Sequence, residues 1–306
     1  MPGAPSHFPQ PETIPQAHPP QPQPADDCGL PDAPSRSLYA QSMTSVLTWL
    51  GTPVLRLISY FGELAVLTGE MTYSLFGSRI RWREVGRQLV SIGFGSQIQV
   101  IVTGAATGAV FAAQVYYKFN QLGLDSLVGG IVALATCREL GPVLTALMLA
   151  GRVGATMAAE IGTMKVTEQI DALRSLGVHP VDYLVAPRFL AMIFSVPLLI
   201  GESIRFGIAA ARLMAVGVYN VPEAFYNDQL YKNVDHIDVL FGMTKGLVFG
   251  YLIVIMACHQ GLNVRQGAVG VGRGTTAAVF FSSMAILIAN FFLTLLLNYI
   301  WPIAAT

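Results

Sequence analysis

Four stretches of the chain, about 89–117, 185–217, 239–260 and 276–302, stay apolar long enough to cross roughly 30 Å of hydrocarbon at about 1.5 Å of helix rise per residue. A fifth, about 126–151, is apolar at both ends and interrupted by Arg138-Glu139-Leu140-Gly141-Pro142, which predicts a kinked or broken span. Ahead of these, residues 51–77 place Arg56, Ser59, Glu63, Glu70 and Ser74 on one narrow stripe at helical spacing. Val54, Leu55, Leu57, Ile58, Phe61, Leu64, Leu67, Met71 and Leu75 cover the rest of that surface. The pattern predicts a helix lying in a membrane interface. Between the second and third spans, Glu168 to Gly177 reads as a short amphipathic helix stopped by a glycine.

Composition agrees with this pattern. The chain is 53% hydrophobic and only 12% charged, with a mean hydropathy of +0.54, whereas about a quarter of the residues of a soluble domain are charged. Eighteen Lys and Arg balance eighteen Asp and Glu, so the attraction to phosphate that nucleic-acid binders use is missing. Cys28, Cys137 and Cys258 are far apart and join no histidine cluster, so neither a disulfide framework nor a metal site is expected. Residues 1–36 hold eleven of the eighteen prolines and no basic residue before Arg36. They predict a disordered Pro/Gln-rich tail, with a lead-in to residue 50, that fits neither a secretory signal nor a transit peptide.

Charge fixes the expected orientation. Arg79, Arg81, Arg83 and Arg87 precede the first span, Arg152, Lys165, Arg174 and Arg188 fall between the second and third, and Arg265 and Arg273 lie between the fourth and fifth. The loop 219–238 has Lys232 against Glu223, Asp228, Asp235 and Asp238. By the positive-inside rule the amino terminus and the helix at 168–177 are cytoplasmic, and five spans leave the carboxyl terminus outside. The expected fold is therefore an all-α polytopic membrane protein. An interfacial helix is followed by five transmembrane helices, with a cytoplasmic helix between the second and third.

Small residues recur every four positions, as Gly104, Gly108 and Ala112, as Ala133, Cys137 and Gly141, and as Gly151, Ala155 and Ala159. Such rows let helix backbones approach closely. Arg138 and Glu139 are the first functional candidates, because an ionised group within a span is costly unless it is paired or faces a wet cavity. Two readings stay open. They form a structural ion pair, between themselves or with Arg152, Glu160, Glu202, Arg205 or Lys245; or Arg138 meets an anionic headgroup while Glu139 orients it. Gly141-Pro142 is expected to break the helix and leave backbone polar groups facing that cavity. Residues Gly267 to Phe280 look like a phosphate-binding loop but lack its GK[ST] ending, so a flexible turn capped by Thr275 or Thr276 is expected. No HExxH, GxSxG or dinucleotide fingerprint stands in a suitable context, and His179, His236 and His259 are scattered singly.

The segments RELGPVLTALMLAGRVGATMAAEIGTMKVTEQIDALRSLGVHPVDYLVAPRF (Arg138 to Phe189) and GAVGVGRGTTAAVF (Gly267 to Phe280) closely resemble the MlaE (YrbE-type) permease family of lipid ABC transporters. Asp171-Ala172 followed by Gly177 looks like the EAA loop through which such permeases dock onto their ATPase. The resemblance spans about residues 50 to 302, leaving 51–306 as the permease domain. It implies a homodimer in a bacterial inner membrane, a separate cytoplasmic ATPase that carries the ATP and magnesium, a periplasmic MCE-domain protein and a phospholipid substrate. It also implies that Glu168, Gln169, Asp171, Ala172, Leu176 and Gly177 form a coupling helix, and that Arg138, Glu139, Gly141 and Pro142 line or gate a lipid pocket. Leu57 and Phe61 of the interfacial helix would form its lateral wall. This chain would then be no enzyme itself. An ion-coupled secondary transporter using Arg138, Glu139 and Glu202, an importer of sterols or other hydrophobic compounds, and an intramembrane enzyme are the rival readings.

Overall fold

The computed structural model describes residues 38–77, 81–265 and 267–300. The tail expected at 1–36 and the side chain of Leu57 lie outside the described residues. Contacts divide the chain into Met1–Leu55 and Arg56–Thr306. The first unit contributes the helical start of α1, and the bundle belongs to the second. Among the described residues there is no strand.

The helices are α1 (Leu38–Gly77), α2 (Trp82–Asn120), α3 (Val128–Val166), α4 (Gln169–Ser175), α5 (Val181–Val218), α6 (Glu223–Asn233), α7 (His236–Leu262) and α8 (Gly267–Ile300). Five of them, α2, α3, α5, α7 and α8, are long and apolar enough to cross a membrane. The acidic loop expected at 219–238 is largely the helix α6, and α7 already begins at His236, so Asp238 belongs to a span. Helix α1 begins at Leu38, ahead of the start at Gly51 that the polar stripe marks.

The spans alternate in direction, and small residues set their spacing. A Cβ on Gly104 would lie 2.6 Å from the Ser203 carbonyl oxygen, and one on Gly108 would run into the Gly207 carbonyl. Helices α2 and α5 therefore run parallel in backbone contact. Gly242 brings α7 equally close to α3, where a Cβ would sit 2.5 Å from the Cys137 carbonyl oxygen. The row Gly151, Ala155 and Ala159 is not buried, and it does not serve as a seam among the described helices. One end of the bundle carries α4 and the short link from α7 to α8; the other carries α6. At that second end Tyr226 is buried against Gly129, and burial pushes its phenol up to about 12 although Arg212 pulls it down.

Helix α3 does not break at Gly141-Pro142. It widens into a π turn at Thr136–Leu140, where the Gly141 N–H reaches back to the Thr136 carbonyl, and then continues as Gly141–Leu149. A proline has no N–H and its ring crowds the carbonyl four residues earlier. The wide turn absorbs that crowding without ending the helix. Nor is the glycine-rich stretch after α7 a flexible turn, because α8 runs helically from Gly267. Thr275 and Thr276 bond back to the Gly272 carbonyl and cap nothing.

The α2–α5 seam generates a direct expectation. Gly108→Val forces the two backbones apart, at about 1–3 kcal/mol for overpacking, and lowers the thermal unfolding midpoint in detergent. Gly86→Ala, with nothing within 4 Å of its Cβ, leaves the midpoint unchanged or raises it.

Candidate functional site

Arg138 lies ten residues into α3, about 15 Å from its start at Val128 by helix rise. Because Pro142 lacks an N–H, the Arg138 carbonyl has no partner four residues on, and the Lys245 ammonium of α7 takes it at 2.9 Å. Lys245 is fully buried, with 0% of its side chain exposed. Its remaining donors reach Glu139 Oε1 at 2.9 Å and Thr294 Oγ1 at 2.8 Å. An ammonium has three donors, and all three are used.

The partners of Arg138 are just as specific. Its Nε donates to Asp238 Oδ1 at 2.6 Å and its Nη1 to Asn298 Oδ1 at 3.0 Å, while the guanidinium lies over the Phe241 ring at 4.7 Å. Asp238 is held in turn by the start of α7. Its Oδ2 accepts the Asp235 N–H at 2.9 Å in a capping box, so one carboxylate both caps the helix and neutralises Arg138. Glu139 completes the set. Its Oε2 accepts from Asn290 Nδ2 at 3.1 Å, and Thr294 Oγ1 stands 3.0 Å from its Oε1. The four ionised groups sum to zero charge. Only Glu139, with its side chain 38% exposed, opens to the outside of the bundle.

The structure thus brings Arg138 and Glu139 together with Lys245, but not with the other partners weighed for them. Glu160 pairs with Arg188 at 2.7 Å, Glu202 accepts from Gln97 at 3.0 Å, and Arg152 donates to the Gly95 carbonyl. Arg205 has no side-chain partner among the described residues. Gly141 and Pro142 are buried behind the pair, where Gly141 packs on Ile204 and Pro142 on Gly242. Sequence reasoning missed Asp238, Asn290, Thr294 and Asn298. The last three recur every four residues in an otherwise apolar span, a polar stripe that marks them; Asp238 was hidden because the acidic loop was drawn one turn too long.

The apolar surroundings are concentrated on α8. Phe280, Met284, Leu287, Ile288, Phe291 and Leu295 are exposed along it, on the helix that also supplies Asn290 and Thr294. On α1, Leu64, Leu67 and Met71 pack into the bundle, while Ile58, Phe61 (59% exposed), Val66 and Tyr73 face outward. Tyr60 anchors α1 at its inner side, with its ring 5.0 Å from that of His259 and 5.3 Å from that of Phe281.

At the opposite end, α4 is reached through Glu168, whose backbone is left-handed (φ 60°), and left through Gly177 (φ 73°). Lys165 and Arg174 both bind Asp171, at 3.1 and 3.2 Å. Ile170 is the fully buried anchor of α4; Gln169, Asp171, Ala172, Leu176 (76% exposed) and Gly177 form an outward face. Cys137 and Cys258 are buried free thiols, and no metal-binding cluster occurs among the described residues.

Comparison with known proteins gives these features a context. A family model described as Permease MlaE matches residues 85–296. A probable ABC transporter permease protein of Rickettsia typhi is 45% identical over 213 residues, covering 69% of this chain and 82% of its own length. One from Synechocystis is 40% identical over 231 residues, 76% of this chain and 88% of the relative. The chloroplastic protein TRIGALACTOSYLDIACYLGLYCEROL 1 of Arabidopsis thaliana is 37% identical over 232 residues, 76% of this chain and 66% of the relative.

The network predicts strong coupling between its charges. Lys245→Met takes the ammonium donor away from the Arg138 carbonyl and from the partly exposed Glu139 carboxylate and costs about 1–3 kcal/mol, the usual penalty for hydrogen-bonding groups left unmet. Adding Glu139→Gln recovers a large part of that loss. A double-mutant cycle on detergent unfolding measures it, and additive losses would show that the two residues do not interact.

Proposed function

The chain belongs to the MlaE permease family of ABC transporters, and on that premise we propose that it moves phospholipid between the inner and outer membranes, driven by a separate ATPase. The observation that carries the reading is the half-open carboxylate of Glu139. It lies at the edge of a charge-balanced network and beside the wide apolar face of α8. A phospholipid needs both kinds of surface. Its two chains gain roughly 0.8 kcal/mol per buried methylene, and its headgroup needs polar partners that hold it at one depth.

In this reading Arg138 is the fixed element and Glu139 the contact. Arg138 keeps its place through Asp238, Asn298 and Phe241. Glu139, held by Lys245, Asn290 and Thr294, presents its open edge to the headgroup. Lys245 supplies the positive charge that pairs with this carboxylate at 2.9 Å. The exposed apolar face of α8 meets acyl chains and a second copy of the chain in a homodimer. The outward face of α1, with Phe61, forms the lateral wall by which lipid enters from the bilayer.

ATP and magnesium belong to the partner ATPase, which docks on α4. The left-handed residue at each border of that helix fixes its angle, and the exposed Leu176 beside Asp171 and Ala172 gives the partner an apolar anchor within a polar rim. An MCE-domain protein receives or delivers lipid at the α6 end. In this reading the α4 end, with the arginine-rich loops, faces the cytoplasm of a bacterial cell and the carboxyl terminus faces the periplasm, as the positive-inside rule favours. Lipid as the cargo also accords with the Arabidopsis relative, which is named for a galactolipid.

Two results are expected. Leu176→Asp abolishes copurification of the ATPase subunit through a tag on this chain while bundle stability is kept; undiminished copurification would place the dock elsewhere. Glu139→Gln, which preserves shape and removes charge, lowers the phospholipid that copurifies with the complex about tenfold, as mass spectrometry reads it. Unchanged lipid content in a folded variant would make the network structural only.

A further inference from the structure

A cavity of about 670 Å³ lies between α1, α4 and the end of α7, and no residue of the Lys245 network lines it. Its walls carry opposite charge. Glu63 and Glu70 stand two helical turns apart on α1, and across from them are Arg174 at the end of α4 and His179 in the link to α5. The floor is fixed: His259 Nε2 lies 2.9 Å from Glu63 Oε2, and Asn263 Nδ2 is 3.4 Å from the same oxygen. The groups above it are largely unengaged. Glu63 Oε1, the Glu70 carboxylate and the His179 ring have no side-chain partner among the described residues. Arg174 uses only Nη1, toward Asp171.

This donor set narrows the ligand. A free anion would meet two carboxylates, and a simple amine would leave Arg174 and His179 unserved, so the ligand carries both signs. The apolar part of the lining includes Leu67, Pro180, Val181 and Leu262, and Val66 carries it into the outward apolar face of α1. The ligand therefore has an apolar body as well. The volume lies in the range of small-molecule sites and exceeds that of a headgroup alone, leaving room for the glycerol and the first methylenes of the chains.

We infer that this cavity is a second lipid site, on the α4 side, that takes the zwitterionic headgroup of an aminophospholipid. Its phosphate lies toward Arg174 and His179 and its ammonium between Glu63 and Glu70. A lipid seated there bridges the interfacial helix and α4, so its presence is felt at the helix on which the ATPase docks. The inference rests on the membrane placement of α1 proposed above, and not on the transport reaction.

The test uses the full chain in nanodiscs of phosphatidylcholine containing a trace of phosphatidylethanolamine with a photoactivatable group near the glycerol. Adducts mapped by mass spectrometry are expected within residues 62–70 and 174–181. The double variant Glu70→Gln, His179→Gln, both at exposed positions, loses those adducts about tenfold. Unlabelled phosphatidylethanolamine competes and phosphatidylglycerol does not. Equal labelling of the variant, or equal competition by phosphatidylglycerol, would overturn the inference. So would full protection by soluble glycerophosphoethanolamine, which assigns the cavity to a free headgroup, or by a docked ATPase subunit, which assigns it to protein. The assay reads binding alone, so loss of transport in another experiment leaves its outcome distinct.

Discussion

An ammonium group cannot lie bare in hydrocarbon, and the bundle is arranged around the one at Lys245. The condition is met by a proline. Pro142 withholds an N–H from the Arg138 carbonyl, the π turn at Thr136–Leu140 keeps the helix continuous, and the freed oxygen becomes an acceptor for Lys245. Glu139 and Thr294 supply the other two acceptors. Because unpaired charge at that depth costs several kcal/mol, each member holds the next in place. Asp238 fixes Arg138, Arg138 offers its carbonyl to Lys245, and Lys245 holds Glu139. Three helices, α3, α7 and α8, are thereby set in register by polar contacts whose lengths tolerate little slip.

Close packing is what brings those groups within reach. Gly242 lets α7 lie against the α3 backbone one turn from Lys245, and Gly104 and Gly108 do the same for α2 and α5. The inner helices are consequently buried, while α8 shows most of its apolar surface outside the chain. A helix that offers three polar side chains, Asn290, Thr294 and Asn298, to the network and exposes phenylalanines outward stands at a boundary. Charge chemistry lies on one side and an exposed apolar surface on the other, the two kinds of surface that the proposed lipid cargo would need.

Much of this was legible in the sequence. The five spans follow from apolar length alone, the short helix α4 from its amphipathic pattern and terminal glycine, and Arg138-Glu139 from the cost of charge within a span. What could not be read was pairing between distant segments. Lys245 was one of several possible partners, and nothing local distinguished it from Arg205, which finds no side-chain partner among the described residues. Asp238 was assigned to a loop because an acidic residue at a span edge reads as solvent-exposed, whereas the capping box turns it inward. Gly141-Pro142 read as a helix break because proline rules describe an α turn; a π turn answers the same constraint while the helix continues. The glycines after α7 read as a flexible turn in the same way, whereas Gly270 and Gly274 lie within a continuous helix and pack against Val264 at the α7 end.

The most direct measurement of the central claim is ATP-driven lipid movement. The chain would be reconstituted with its ATPase and the proposed MCE-domain partner in proteoliposomes, and transfer of a labelled phospholipid to a separate acceptor followed with ATP and with a non-hydrolysable analogue. The account predicts transfer that requires hydrolysis and falls to background when Glu139 is neutralised in a folded complex. ATP hydrolysis by the intact complex without movement of any phospholipid would contradict it.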